Sequence, residues 1–170
     1  MKVYNIHERP FQARSEEVGL LIDSLAGPDD MLWPREQWPA MKFDTGLHQG
    51  AIGGHGQVRY HVSDYIPGER VVFRFDDSGL IGGFDGRHLF EVVPRQRHVL
   101  LRHIVDAECS FKLWLKWQFL VGPLHDALLE DSLDQAECRL TNGVAKPSRW
   151  SPWVRLLRWI IARKRKKRPA

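Results

Sequence analysis

The sequence predicts an α+β fold in which one half-buried antiparallel sheet is covered by a long C-terminal helix. Three observations predict it. From Gly56 to Val121, apolar residues recur at every second position in runs separated by turn-forming residues, the pattern of successive hairpins. After Gly122-Pro123 the apolar period lengthens to that of a helix, which Asn142-Gly143 stops. The third observation is charge. The last 25 residues, from Lys146, hold ten Lys and Arg and no Asp or Glu, leaving 15 basic and 21 acidic side chains, a net of −6, in the other 145. The overall charge of +4 and pI near 9.3 describe an acidic body with a cationic tail.

Each element has its own signal. Residues 2–10 read as a first strand, limited by Pro10. Ser15 is placed to cap a helix with Glu16 and Glu17 in its first turn, Val18, Leu21, Ile22 and Leu25 on one face, and Gly27-Pro28 at its end. Asp29 to Gly54 reads as a long loop, in which Trp33-Pro34 and Trp38-Pro39 hold extended geometry. Strands are then expected with Val58, Tyr60 and Val62 inward, with Val71, Phe73 and Phe75 inward after the Pro67-Gly68 turn, and with His88, Phe90 and Val92 on one side. Val99, Leu101, His103, Val105 and Ala107 line the next. Phe111, Leu113, Leu115, Trp117, Phe119 and Val121 form the longest alternation and predict a last strand. The helix after it carries Leu124, Leu128, Leu133, Ala136 and Leu140 on one side and Asp126, Glu130, Asp134 and Glu137 on a face expected to be solvated.

The 170 residues suit one domain, 1–143, with an appendage, 144–170. No window approaches the roughly 18 to 20 apolar residues of a membrane span. The first ten residues lack the apolar stretch of a secretory signal. Cys109 and Cys138 form no CxxC pair, so two reduced cysteines in a cytoplasmic protein are expected.

The order strand, helix, antiparallel strands, long helix is carried by the segments LWPREQWPAMKFD (32–44), GAIGGHGQVRYHVSDYIPGERVVFRF (50–75), GRHLFEVVP (86–94), LLRHIV (100–105) and PLHDALLEDSLDQAE (123–137). In these it resembles the START-like, or SRPBCC, superfamily of polyketide cyclase-like proteins and ligand carriers. The resemblance implies a helix-grip fold, a curved sheet wrapped around the long helix with an apolar cavity between them. It does not name a function, because that scaffold hosts carriers, cyclases and other activities.

The candidate chemistry is sparse. Gly50, Gly53, Gly54 and Gly56, and Gly79, Gly82, Gly83 and Gly86, lead into strands rather than helices, so they read as turns and bulges, not phosphate loops. No cofactor motif, no nucleophile signature and no metal-ligand spacing occurs, and neither a metal nor a cofactor is expected. His88 and His103 alternate with apolar residues, so they are placed toward the concave face of neighbouring strands, either as acid–base candidates or as hydrogen-bonded core residues. His125 beside Asp126 reads as a surface feature, since adjacent helical residues do not face each other. Trp33 and Trp38 fit a lid over a cavity mouth or a loop pinned by its own aromatics.

Two functions follow. One is non-enzymatic binding of an apolar small molecule, lipid or polyketide-like, by Tyr60, Phe73, His88, Phe90, Leu101, His103, Leu113, Trp117 and Phe119, with Trp33 and Trp38 at the rim. The other is a cyclase or dehydratase with His88 and His103 as acid and base. In the tail, Ser151-Pro152 opens a helix whose stripe of Trp153, Val154, Leu156, Leu157, Ile160 and Ile161 opposes Arg155 and Arg158. Trp159 and the run Arg163, Lys164, Arg165, Lys166, Lys167 and Arg168 complete a surface suited to anionic membrane. The stripe docked on the body is the competing expectation. The acidic body argues against a nucleic-acid module. Nothing in the sequence specifies an oligomeric state.

Overall fold

The computed structural model describes residues 1–166, with side chains as far as Arg163. Seven strands form one antiparallel sheet: β1 (Lys2–Phe11), β2 (Met41–Phe43), β3 (Ile52–His55), β4 (Val58–Ile66), β5 (Arg70–Gly79), β6 (Asp85–Pro94) and β7 (Val99–Glu108), in the order β1-β7-β6-β5-β4-β3-β2. The first strand returns to pair with the last along its whole length, from Lys2 opposite Glu108 to Phe11 opposite Val99. That makes β1 an edge strand, so Pro10 costs no ladder hydrogen bond and sits inside the strand rather than ending it. Bulges between β4 and β5, at Val58/Tyr60 and Val62/Asp64, bend the sheet. The short strands β2 and β3 lie in the segment expected to be a loop.

Helix α1 (Ser15–Asp23) is capped by Arg14 rather than Ser15: Glu17 reaches back to accept the Arg14 backbone N–H at 2.9 Å. Gly19 lets it lie on the β4–β5 turn, where a Cβ would come within 2.2 Å of the Gly68 carbonyl oxygen. The Trp33/Trp38 loop is pinned. Asp30, buried, accepts the backbone N–H of Ala26, Leu32 and Trp33, and the Trp33 indole donates to the Pro39 carbonyl at 2.9 Å.

The largest departure from expectation is residues 111–121. They form α2 (Phe111–Lys116) and a π-helical turn (Trp117–Val121), continuous with α3 (Gly122–Thr141). The alternation joined residues of two faces. Phe111 and Phe119 are 61% and 64% exposed, while Leu113, Trp114, Trp117, Leu120 and Val121 turn inward at helical spacing. Ser110 caps the start, its hydroxyl accepting from Leu113 N–H. The sheet also has no place for another strand beside β7, whose second edge β1 already occupies. Pro123 is accommodated inside the helix. It has no N–H for the Phe119 carbonyl, and the Trp153 indole donates there instead, at 2.9 Å. The Gly122 N–H skips to the Trp117 carbonyl, the five-residue step that makes the π turn. Asn142, in left-handed conformation, ends the helix as expected.

The core divides in two. A larger cluster holds Phe11, Ile22, Trp33, Trp38, Tyr60, Phe73, Phe90, Leu101, Leu129 and Leu133. A smaller one holds Val3, Ile81, Phe84, Val105, Ala107, Trp117 and Val121. Helix α4 (Pro152–Lys166) packs on the body through Val154 and Leu157, and Arg158 lies between the rings of Trp38 and Trp150 at 4.2 and 4.1 Å. Arg158 thus belongs to the docked side, not to the solvent face on which its spacing placed it. No helix of the described residues is long and apolar enough to cross a membrane.

A histidine layer as the candidate functional site

Between the two apolar clusters runs a polar layer. Along β7 the inward residues are Leu101, His103 and Val105, so the histidine sits where one cluster gives way to the other. Along β6, His88 follows Phe90 in the same way. On β1 the inward positions read Val3, Asn5, His7, Arg9, Phe11: apolar at both ends, polar in the middle. His7 stands opposite His103 in the β1–β7 ladder. On the helix, His125 falls between Val121 and Leu128.

These side chains meet. His88 Nδ1 and His103 Nε2 are 3.3 Å apart, and both residues are buried. The His103 and His125 rings are centred 5.1 Å apart, and those of His125 and His7 5.9 Å. At the other end the Tyr60 ring lies 4.7 Å from His88, and the Tyr60 hydroxyl bonds His55 Nδ1 at 3.0 Å. His7 Nδ1 lies 2.8 Å from a Glu130 carboxylate oxygen, and its Nε2 lies 3.1 Å from Asp126 Oδ1. Asn5 donates to Asp126, and Arg9 bridges Glu130, Asp134 and Glu137. The acidic helix face expected to be solvated is therefore the partner of a polar strand. His125, expected on the surface, faces the interior against Trp117, with ring centres 5.4 Å apart.

Electrostatics differ between the ends. Burial drives the pKa of His88 and His103 well below the ordinary imidazole value, and neighbouring histidines push the same way. Burial likewise lowers His125, and takes His55 to about 3. Burial also works against protonation of His7, but the Asp126 and Glu130 carboxylates outweigh it and raise its pKa. The inner histidines are neutral at pH 7, while His7 is easier to protonate than an ordinary imidazole.

Four nitrogens of the layer, His88 Nε2, His103 Nδ1 and both of His125, are buried without a partner. Each such atom costs about 1–3 kcal/mol. Of the other residues expected at the site, Tyr60, Phe73, Phe90 and Leu101 face the same interior from the sheet. Trp117 reaches the layer at His125 from the helical side, not from a strand; Leu113 packs on the smaller cluster, and Phe119 points outward. Trp33 and Trp38 are buried, and Trp38 shares Asp131 with Trp150, two indole donors on one carboxylate oxygen at 2.7 and 2.8 Å. Packed rings lie between sheet and helix, where an apolar cavity was expected. A depression of about 420 Å³ lies instead between the start of α1 and the β6–β7 turn, lined by Arg14, Glu17, Arg95, Arg97 and His98 among others. His7, His125, Asn5 and Glu130 were not foreseen at the site. The signal available was the polar middle of β1 set against the acidic stripe 126, 130, 134, 137.

In the tail, Trp153, Arg155, Trp159 and Arg163 are exposed or half-exposed. Of Lys164, Arg165 and Lys166 only the helical backbone is described, and Lys167 and Arg168 lie outside the described residues.

No family model matches the chain, and no curated protein matches it. Solved structures do. A protein from Thermobifida fusca shares 18% identity over 86% of this chain and 99% of its own, with a TM-score of 0.62. CalU16 from Micromonospora echinospora shares 16% over 92% of this chain and 82% of its own, with a TM-score of 0.56. DynU16, from the dynemicin biosynthetic locus, shares 17% over 86% of this chain but only 49% of its own, with a TM-score of 0.53. At these identities the likeness shows the fold: the chain has the helix-grip fold that its sequence resembles.

Proposed function

We propose that this protein binds a small organic molecule with an apolar body and adjacent hydroxyl and carbonyl oxygens at the histidine layer. The observation that supports it is the set of buried imidazole nitrogens without partners. In a neutral imidazole one nitrogen donates and the other accepts. Because His88 Nδ1 and His103 Nε2 share one hydrogen bond, the two outer nitrogens are complementary: whichever tautomer holds, one of them donates and the other accepts. A lipid or polyketide-like metabolite bearing oxygens of both kinds satisfies them, while Tyr60, Phe73 and Phe90 pack its body. The origin of DynU16 in a biosynthetic locus agrees with such a ligand. Since the interior is packed, entry requires a ring to move. Trp117, on the π turn and against His125, is the side chain placed to do so.

The test is native mass spectrometry and nitrogen-edited NMR of the histidine rings with a panel of fatty acids and hydroxylated aromatic ketones. Binding is expected to shift His88 and His103 and to be lost in His103→Phe. Unchanged histidine signals across the panel at saturating concentration overturn the reading. The 3.3 Å His88–His103 contact also favours a second reading, a cyclase- or dehydratase-type enzyme in which this neutral pair moves a proton on the bound molecule. Turnover of a bound ligand, abolished by His88→Phe, separates it from simple carriage.

A separate surface supports association with anionic membrane. Val154 and Leu157 dock on the body, but Trp153, Leu156, Trp159 and Ile161 remain exposed, and Phe119 is exposed beside Trp153. Arg155 and Arg163 are exposed on the same helix, and each basic side chain contributes about 1 kcal/mol near an anionic surface. The full chain is expected to float with phosphatidylserine-rich vesicles at low salt and to be released at high salt. Equal flotation of Leu156→Glu and Trp159→Glu overturns this.

A further inference from the structure

The outer end of the histidine layer has the makings of a metal centre. His7, His125 and Asp126 each offer one ligand atom, and all three atoms lie within 4.8 Å of one another. The individual spacings are more telling. His7 Nε2 lies 3.1 Å and His125 Nδ1 3.6 Å from the same oxygen, Asp126 Oδ1. Two donors bound at about 2.0–2.1 Å to one tetrahedral ion stand about 3.3 Å apart. At 3.6 Å the His125 contact is too long for a hydrogen bond, and both of its ring nitrogens are otherwise unpartnered and buried. From this geometry we infer that His7, His125 and Asp126 bind a divalent first-row transition ion such as zinc or iron(II).

The surroundings fit this assignment. Glu130 accepts from His7 Nδ1 at 2.8 Å, which fixes the ring and directs Nε2 at the ion, the arrangement of a carboxylate–histidine–metal triad. Asn5 donates to Asp126 at 3.1 Å, and Arg9 holds Glu130 from behind at 3.2 Å. Two imidazoles and one carboxylate favour zinc or iron(II) over the oxygen-seeking magnesium and calcium. Three protein ligands leave at least one position open. His103, with its unpartnered Nδ1, lies on that interior side, its ring centre 5.1 Å from that of His125. Asp126 is half-exposed and gives the ion a path from solvent. No pair of these ligands other than the adjacent His125 and Asp126 is close in sequence, which is why spacing along the chain does not announce the site.

The assignment does not depend on the small-molecule reading, and its test contains no organic ligand, so either fails without the other. Full-length protein without a histidine tag is stripped with chelator and titrated with cobalt(II) chloride. One equivalent is expected to bind with the intense visible absorption of a four- or five-coordinate site, and zinc chloride is expected to displace it. Asp126→Asn and His125→Gln should abolish that absorption, and Glu130→Gln, which touches no metal, should weaken binding about 10- to 100-fold. Absence of a stoichiometric band in the wild type, or a wild-type band in both ligand variants, overturns the inference. Should a variant lose its circular dichroism spectrum, the wild type decides alone. Cobalt must shift the ring protons of His7 and His125 and leave exposed His48 unaffected, and the reverse pattern refutes the site.

Discussion

Replacing His88 by Phe should remove one proton's worth of acid sensitivity from the fold. The groups that face His88 are Tyr60 from β4, Phe73 and Phe75 from β5 and His103 from β7, with His55 beyond Tyr60. None of these is an anion, so burial, reinforced by the neighbouring histidines, keeps the ring neutral. The folded pKa lies below the unfolded value of 6.5, so the unfolded chain binds the extra proton. Stability is therefore full above pH 6.5 and falls as pH drops through it. As long as the pH stays above the folded pKa, one such group loses on the order of 1 kcal/mol for each pH unit below 6.5. A phenyl ring keeps the stack on Phe73 and Phe75 but does not titrate. Urea unfolding of wild type and variant from pH 7.5 to 4.5 isolates the effect, because His103 and His55, which act in the same sense, and His7, which acts oppositely, are present in both. The gap between the two profiles should move in favour of the variant over that range, by on the order of 1–3 kcal/mol. Parallel profiles would show that His88 protonates in the folded state at little cost, and the neutral layer would be wrong.

The remaining predictions concern single contacts. Asp131→Ala strips two indole N–H groups of one acceptor and should cost about 2–4 kcal/mol in urea unfolding. Gly19→Ala forces a Cβ to within 2.2 Å of the Gly68 oxygen, and the shift of α1 off the β4–β5 turn should cost at least about 1–3 kcal/mol, read as a lowered Tm. Pro123→Ala restores an N–H that competes with the Trp153 indole for the Phe119 carbonyl. Trp153→Phe should therefore cost about 0.5–1.5 kcal/mol in the wild type and close to nothing in Pro123→Ala, a coupling that a double-mutant cycle detects.

Much of the sheet was legible because its inward residues alternate cleanly. Tyr60, Phe73, Phe90 and Leu101 were placed by period alone, and so were His88 and His103, which alternation carries regardless of polarity. The failures share a cause: they depend on contacts distant in sequence. Residues 111–121 satisfied a strand period locally. The deciding facts were the pairing of β1 with β7, which removes the vacant edge, and the Ser110 cap. The acidic stripe of α3 looked solvated because its partners, Asn5, His7 and Arg9, lie more than a hundred residues away. His125 was set aside because its sequence neighbour Asp126 cannot face it squarely. Its real neighbours are His103, His7 and Trp117, none adjacent in the chain. Of the apolar stripe expected in the tail, Val154 and Leu157 dock, while Trp153, Leu156 and Ile161 are exposed. Which part of it docks depended on Trp38 and Trp150 forming a slot for Arg158.

The histidine layer is hard to explain as packing. The inward positions of β6 and β7 on either side of it are apolar, and the same pleat would accept Leu or Phe at 88 and 103, as it does at 90 and 101. Such a core would gain apolar burial and lose four unpartnered nitrogens. Three elements, the edge strand β1, the interior strand β7 and the helix α3, nevertheless bring imidazoles together, and His7 and His103 face each other in register. A fold optimised for stability alone has no use for that coincidence. The layer also changes character along its length. At Glu130 and Asp126 it is acidic and half-exposed; at His88 and Tyr60 it is neutral and buried. An ion held at the first end and an organic molecule at the second would meet at His103 and His125, the two residues whose free nitrogens lie between them. The layer then places two different chemistries side by side in a core that is otherwise hydrocarbon.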